Sequence, residues 1–211
     1  MQADPVTISP LRARIRAEVR AGILDAAERV FSEEGLEGGH MEHVALKAGV
    51  AVGTLYNHFR DRDTLLGCLL EARRRELLER VDAAVSAAGP RFQDQLAAFL
   101  DLIFDHIRQH RPFLSLVIQE EATALKLRLT LPPEERTLSQ LRLRAARLVG
   151  LGLRQGALRR RDSDLWPDLL IGSLHSLLLR ELADGRSAAR PAPGRGLLAY
   201  FLTGAGRDAR A

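Results

Sequence analysis

The 211-residue sequence contains a single cysteine, Cys68, and only 5% aromatic residues. One thiol can form neither an internal disulfide nor a multi-thiolate zinc site, which points to a reducing compartment. Long uncharged apolar runs are missing as well. The longest apolar stretch, Leu165 to Leu182, is interrupted by Asp168, His175, Arg180 and Glu181, far from the roughly 20 uninterrupted residues that span a bilayer. The opening Met1-Gln2-Ala3-Asp4-Pro5 carries an acid where a secretory leader needs cations, and no apolar core follows. A cytoplasmic protein without a membrane partner is therefore expected. No run of alternating β-branched residues lies between turn pairs, which argues against strands. Nucleophile elbows, phosphate-cradling glycine loops and paired-carboxylate motifs are also missing, so the chain does not read as an enzyme and no cofactor is expected.

What is present is an apolar fraction of 46% with 27% charged residues, ample for a packed core. The net charge of +4 is unevenly placed: residues 1–65 hold eight basic and ten acidic side chains, residues 66–211 hold 23 and 17. An anionic partner would have to be recognised by placed side chains rather than by bulk charge.

Apolar residues recur at helical spacing almost throughout. Ile15, Val19, Ile23, Leu24, Ala27, Val30 and Phe31 form one stripe on a long helix that should end at Gly35. Two short helices fit 41–48 and 52–59, separated by Gly49-Val50-Ala51. Asp61 is a candidate N-cap for a helix running to about Ser86, and Gly89-Pro90 is the next break. Further helices fit Phe92 to Ile107, Phe113 to Leu129, a start at Pro132-Pro133-Glu134-Glu135 running to about Gly156, Leu165 to Leu182, and Leu197 to Leu202. The expected fold is all-α with about nine helices, divided into residues 1–66 and a larger helical domain, 67–211.

Residues 41–59 have the layout of a helix-turn-helix, in which Gly49 supplies a left-handed turn. Val44, Leu55 and Phe59 can fill its small core, leaving Val52, Gly53, Thr54, Tyr56, Asn57 and His58 facing outward. The order Ile23-Leu24-Asp25-Ala26-Ala27-Glu28-Arg29-Val30-Phe31, Gly35, Val44-Ala45, Ala48-Gly49-Val50, Gly53-Thr54-Leu55-Tyr56, His58-Phe59 and Leu65-Leu66 closely resembles the DNA-binding region of TetR-family transcriptional regulators. The resemblance covers about 45 residues.

That resemblance implies that Val52 to His58 form a recognition helix in the major groove of a double-stranded operator. Val52, Gly53, Thr54, Tyr56 and His58 would lie against phosphates or bases, with Asn57 facing a base edge. Arg62 would grip phosphate at the start of the next helix, with Lys47 as a further phosphate ligand. An Asn side chain can pair with adenine N6 and N7 together. The sequence departs from the family pattern in three places. Ala51 stands where a capping Ser or Thr is usual and is followed by Val52; Gly39-His40 replaces hydroxyl residues; Glu42 replaces a basic or polar reader. An arm carrying Arg12, Arg14, Arg16 and Arg20 could compensate by reaching the DNA backbone or minor groove.

The resemblance further implies a ligand-responsive repressor, active as a homodimer and released by a small-molecule effector. The density of Leu169, Leu170, Leu174, Leu177 and Leu178 supports pairing of the last helices with a second copy. Residues expected to line an effector pocket are Phe99, Ile103, His106, Phe113 and Leu116, together with Val117, Glu120, Trp166 and His175. Many apolar walls and few polar anchors favour a hydrophobic or aromatic effector. His106 and His110 lie one helical turn apart, but local spacing fixes no third ligand, so no metal is expected. The alternative reading is a helical ligand-binding enzyme or adaptor that does not bind DNA.

Overall fold

A computed structural model describes residues 10–119, 132–160, 163–183 and 193–205. Among these residues the fold is all-α, with the helices α1 (Pro10–Gly38), α2 (Met41–Ala48), α3 (Val52–His58), α4 (Arg62–Ala87), α5 (Phe92–Gln109), α6 (Arg111–Gln119), α7 (Thr137–Arg154), α8 (Trp166–Ala183) and α9 (Pro193–Ala205). A single 3₁₀ turn spans Pro133–Glu135. No helix among the described residues is long and apolar enough to cross a membrane. The chain divides into two compact units, residues up to Ala72 and residues from Arg73, with α4 running through the boundary.

The first unit is built on α1 to α3 and the start of α4. The stripe expected on α1 is buried from Ile23 onward, through Leu24, Ala26, Ala27, Val30 and Phe31, whereas Ile15 is half exposed. Gly35 ends the regular helix as expected: its φ of 83° and ψ of 165° break the run, and the chain resumes helical hydrogen bonding only to Gly38. A φ of this sign is strained for any residue with a Cβ. Directly after the resumed turn sits the departure Gly39-His40, and the packing at Gly39 explains the glycine. A Cβ on Gly39 would fall 2.6 Å from Cε1 of the buried Phe31 ring, and closer still to Cδ1. A hydroxyl residue cannot stand there while that ring keeps its place.

The second unit has its own core. Leu77, Leu78 and Val81 of α4 meet Leu96, Phe99, Leu100 and Ile103 of α5, Leu141, Ala145 and Leu148 of α7, and Leu170, Leu174 and Leu178 of α8. Two polar ties hold the ends of this packing. Arg91 gives α5 no side-chain cap, and Gln155 replaces it from the end of α7, accepting from the Phe92 N–H at 2.8 Å and donating to the Pro90 carbonyl at 2.6 Å. Arg144 of α7 meets Asp82 of α4 through two parallel bonds of 2.8 and 2.6 Å, the fork-to-carboxylate geometry that suits a guanidinium.

Several sequence expectations shift here. The helix expected over 113–129 starts earlier, at Arg111, and is described to Gln119; the remainder lies outside the described residues, as does all of 186–192. Pro133 to Glu135 close a 3₁₀ turn rather than the first turn of α7, because the Glu135 N–H bonds back to the Pro132 carbonyl and α7 starts afresh after Arg136. The leucines offered for dimerisation also separate: Leu170, Leu174 and Leu178 are buried in the chain's own core, while Leu169 is 53% exposed.

Candidate nucleic-acid interface

The site is the α2–turn–α3 segment. Gly49 closes α2 at φ 69°, ψ 29°, and its N–H and that of Val50 return to the carbonyls of Leu46 and Ala45. This left-handed closure redirects the chain within three residues. Leu55 and Phe59 are buried at 0 and 1% exposure and anchor α3 from below. Opposite them Val52, Gly53, Tyr56 and Asn57 are exposed, with Thr54 and His58 half-buried at the margins. The positions 52, 53, 56 and 57 share one side of a helix, so four of the six residues expected to face outward lie on one exposed face, while Thr54 and His58 do not.

Ala51 is the N-cap of α3, with φ −64°, ψ 145° and no side-chain bond to the helix. Its extended backbone is already what a capping residue needs. Ala51→Ser is therefore expected to raise stability by about 0.5–2 kcal/mol, since Ala51 is exposed and loses no packing. The melting temperature of the intact protein reads this directly; a decrease would mean that the hydroxyl finds no N–H to accept from.

Basic residues behave differently from one another. Lys47 on α2 donates both to Glu33 Oε1 at 3.0 Å and to Oε2 at 2.9 Å, so its charge is shared with α1. Arg62 donates to the carbonyls of Leu36 at 2.8 Å and Glu37 at 3.1 Å, satisfying acceptors that the break at Gly35 leaves open. Asp61 caps α4 as expected, accepting from the Thr64 N–H at 2.7 Å. Glu42 lies in the first turn of α2, where a carboxylate faces the positive end of the helix dipole.

Arg20 corrects the expectation of a basic arm. Residues from Pro10 onward are helical, and Arg12, Arg14 and Arg16 are exposed on α1, Arg14 pairing with Glu18 at 3.0 Å. Arg20 instead turns into the unit. Its guanidinium donates to the His58 carbonyl at 3.2 Å and to Cys68 Sγ at 3.0 Å, and sits 4.3 Å above the Phe59 ring centroid. One side chain thereby ties α1 to the end of α3 and to α4. Sequence gave no signal for this, because the partners are 38 and 48 residues away. Partial desolvation, with Arg16 and Arg20 nearby, holds the His58 imidazole below its usual range.

Residues 23–67 match the family described as bacterial regulatory proteins, tetR family. Over this segment, about a fifth of the chain, the sequence is similar to that family. HTH-type transcriptional regulators of Staphylococcus aureus strains USA300 and NCTC 8325 are 42% identical over 48 residues, 23% of this chain and 26% of theirs; the chain spans about a quarter of the length of these curated relatives. The tetR-type fold extends further than the sequence match. The FadR transcriptional regulator of Bacillus subtilis, solved in complex with stearoyl-CoA, superposes with a TM-score of 0.70 at 21% identity, covering 87% of this chain and 98% of that one. The ketosteroid regulator KstR2 of Mycobacterium tuberculosis gives 0.65 at 22% identity, over 90 and 95%.

The residues expected around an effector lie in the second unit of this tetR-type fold. Phe99, Ile103 and Phe113 are fully buried, Val117 and His106 nearly so, and Leu116 is half-buried. Trp166 packs edge-on to Phe201 at 5.9 Å and donates its indole N–H to the Arg159 carbonyl at 3.3 Å. His175 is exposed on α8, and Glu120 lies outside the described residues. Burial, assisted by His110 and by Arg80 and Arg73 against the opposing pull of Glu76, pushes the His106 pKa down to about 4, so this imidazole is neutral at physiological pH.

Proposed function

We propose that the protein is a DNA-binding transcriptional regulator, a repressor that binds a palindromic operator as a homodimer and is released by a small apolar effector. The observation that carries this reading is the outward face of α3, where Val52, Gly53, Tyr56 and Asn57 stand exposed on a helix anchored from below by the buried Leu55 and Phe59. A recognition helix needs that division between a buried anchor and side chains long enough to reach base edges. Thr54, His58 and Arg62 flank the face and Lys47 lies on the preceding helix, positions suited to phosphate.

The dimer is supported by an apolar stripe along α8. Leu165, Leu169 and Leu179 are 52, 53 and 40% exposed and fall on one side with Gly172 and Ser176; a second copy of the same stripe would cover it. Two-fold pairing then requires half-sites about one helical turn, roughly 34–36 Å, apart or a small multiple of it. The aliphatic and aromatic character of Phe99, Ile103, Phe113, Leu116 and Val117, the residues expected around an effector, favours an apolar one. FadR, solved with stearoyl-CoA, shares the fold and holds a ligand with a long apolar acyl chain.

The test is a gel-shift titration on the DNA upstream of the protein's own gene, followed by competition with acyl and steroid compounds. Saturable binding to an inverted repeat is expected. An effector should weaken that binding by roughly 5–150-fold, and DNA must weaken effector binding by the same factor. Binding no tighter than to scrambled DNA would favour the helical adaptor instead.

A further inference from the structure

The second unit contains a polar cluster that the DNA-binding reading does not use. Glu76 on α4 and His106 and His110 at the end of α5 bring one carboxylate oxygen and one nitrogen from each imidazole within 4.8 Å of one another. The two rings are 4.5 Å apart between centroids, and His110 Nε2 lies 3.9 Å from Glu76 Oε2. Both histidines are more than nine-tenths buried, and His106 Nδ1 has no hydrogen-bond partner among the described residues. Burying such a nitrogen without a partner is costly in a core made mostly of aliphatic and phenylalanine side chains.

We propose that Glu76, His106 and His110 form a binding site for a divalent transition-metal ion of the zinc type. Two imidazoles and a carboxylate are a donor set zinc takes with a fourth position left open. The His-x-x-x-His spacing places both rings on one side of α5, and α4 supplies the third donor that local spacing lacks. Ligand atoms around a tetrahedral ion lie about 3.3–3.6 Å apart at bond lengths of about 2.0–2.2 Å, so small changes in side-chain torsion close the site. Glu76 reaches solvent on one side, with its side chain 31% exposed, which gives an ion a way in.

The surroundings also select the kind of ion. Arg73 lies 3.2 Å from Glu76 Oε2 and Arg80 3.3 Å from Oε1. A carboxylate has about four lone-pair sites, so each oxygen can accept from a guanidinium and still coordinate. Those two cations weigh against Mg²⁺ and Ca²⁺, which are held chiefly by carboxylate charge, and less against an ion bound through imidazole nitrogen.

The full-length protein, freed of metal by chelation, is titrated with Co²⁺. A visible d–d band saturating at one ion per chain is expected, with displacement by Zn²⁺, and Zn²⁺ but not Mg²⁺ should raise the melting temperature. Glu76→Gln keeps the side-chain shape and should weaken Co²⁺ binding at least about tenfold, the scale on which even outer-shell partners act. His110→Gln should do the same, with helical circular dichroism confirming that both variants fold. Because His40, His43 and Glu34 cluster on the first unit, His43→Ala is the control and should leave the band unchanged. Absence of the band in the parent protein, or an undiminished band in both Glu76→Gln and His110→Gln, overturns the assignment, and neither outcome depends on DNA binding.

Discussion

Phe59→Ala is expected to destabilise the first unit by about 3–5 kcal/mol, the range for emptying a buried aromatic site. The ring is 1% exposed, closes the small core beneath α3, and carries the Arg20 guanidinium 4.3 Å above its centroid. Removing it leaves a cavity and also takes away the cation–π partner that holds Arg20 against the His58 carbonyl. For a unit of this size each kcal/mol moves the midpoint by roughly 4–8 °C, so a fall of about 10 °C or more is anticipated. The core around Leu96, Phe99 and Leu174 shares no residue with the site, and its transition should stay in place. Thermal melts followed by circular dichroism, with limited proteolysis to assign each transition, separate the two. A first transition unmoved within a degree or so would show that the ring does not support the segment.

The second large effect concerns base reading. Asn57 is exposed on α3 with nothing of the core depending on it, so Asn57→Ala should leave the melting temperature in place. If the side chain pairs with a base edge, its loss costs about 1–3 kcal/mol per contact, and a two-fold dimer makes the contact twice. The expected result is a large drop in operator affinity with unchanged binding to random DNA, together with relaxed preference at one or two positions per half-site. Arg62→Ala supplies the contrast. It should weaken binding to every sequence and flatten the salt dependence by about one unit per half-site, and it should also lower stability because Arg62 holds the Leu36 and Glu37 carbonyls. Equal loss of specific and random binding in Asn57→Ala would remove Asn57 from the reading face.

Much of this organisation was legible in the sequence because it is local. Gly35, Gly49 and Asp61 announce a helix end, a left-handed turn and a cap through chemistry that acts within three or four residues, and each does so in the structure. Arg20, Gln155 and Glu76 were not legible. Their partners lie 38 to 65 residues away or on a different helix, and no spacing rule reaches that far. The same limit explains the leucines of α8. Periodicity shows that two faces are apolar, but only the packed chain tells which face Leu170, Leu174 and Leu178 present to their own core and which one Leu165, Leu169 and Leu179 leave outside.

Helix α3 is seven residues long, uncapped, and fixed by one fully buried side chain within it and one just after. A helix so short has almost no stability of its own, so its shape is imposed from beneath and owes little to the identity of its outward residues. Substitutions at Val52, Tyr56 or Asn57 can therefore accumulate without loss of folding, and duplicated copies of such a gene could diverge toward new operators while every intermediate still folds. The plainness of Leu55 and Phe59 is what leaves the neighbouring positions open to change.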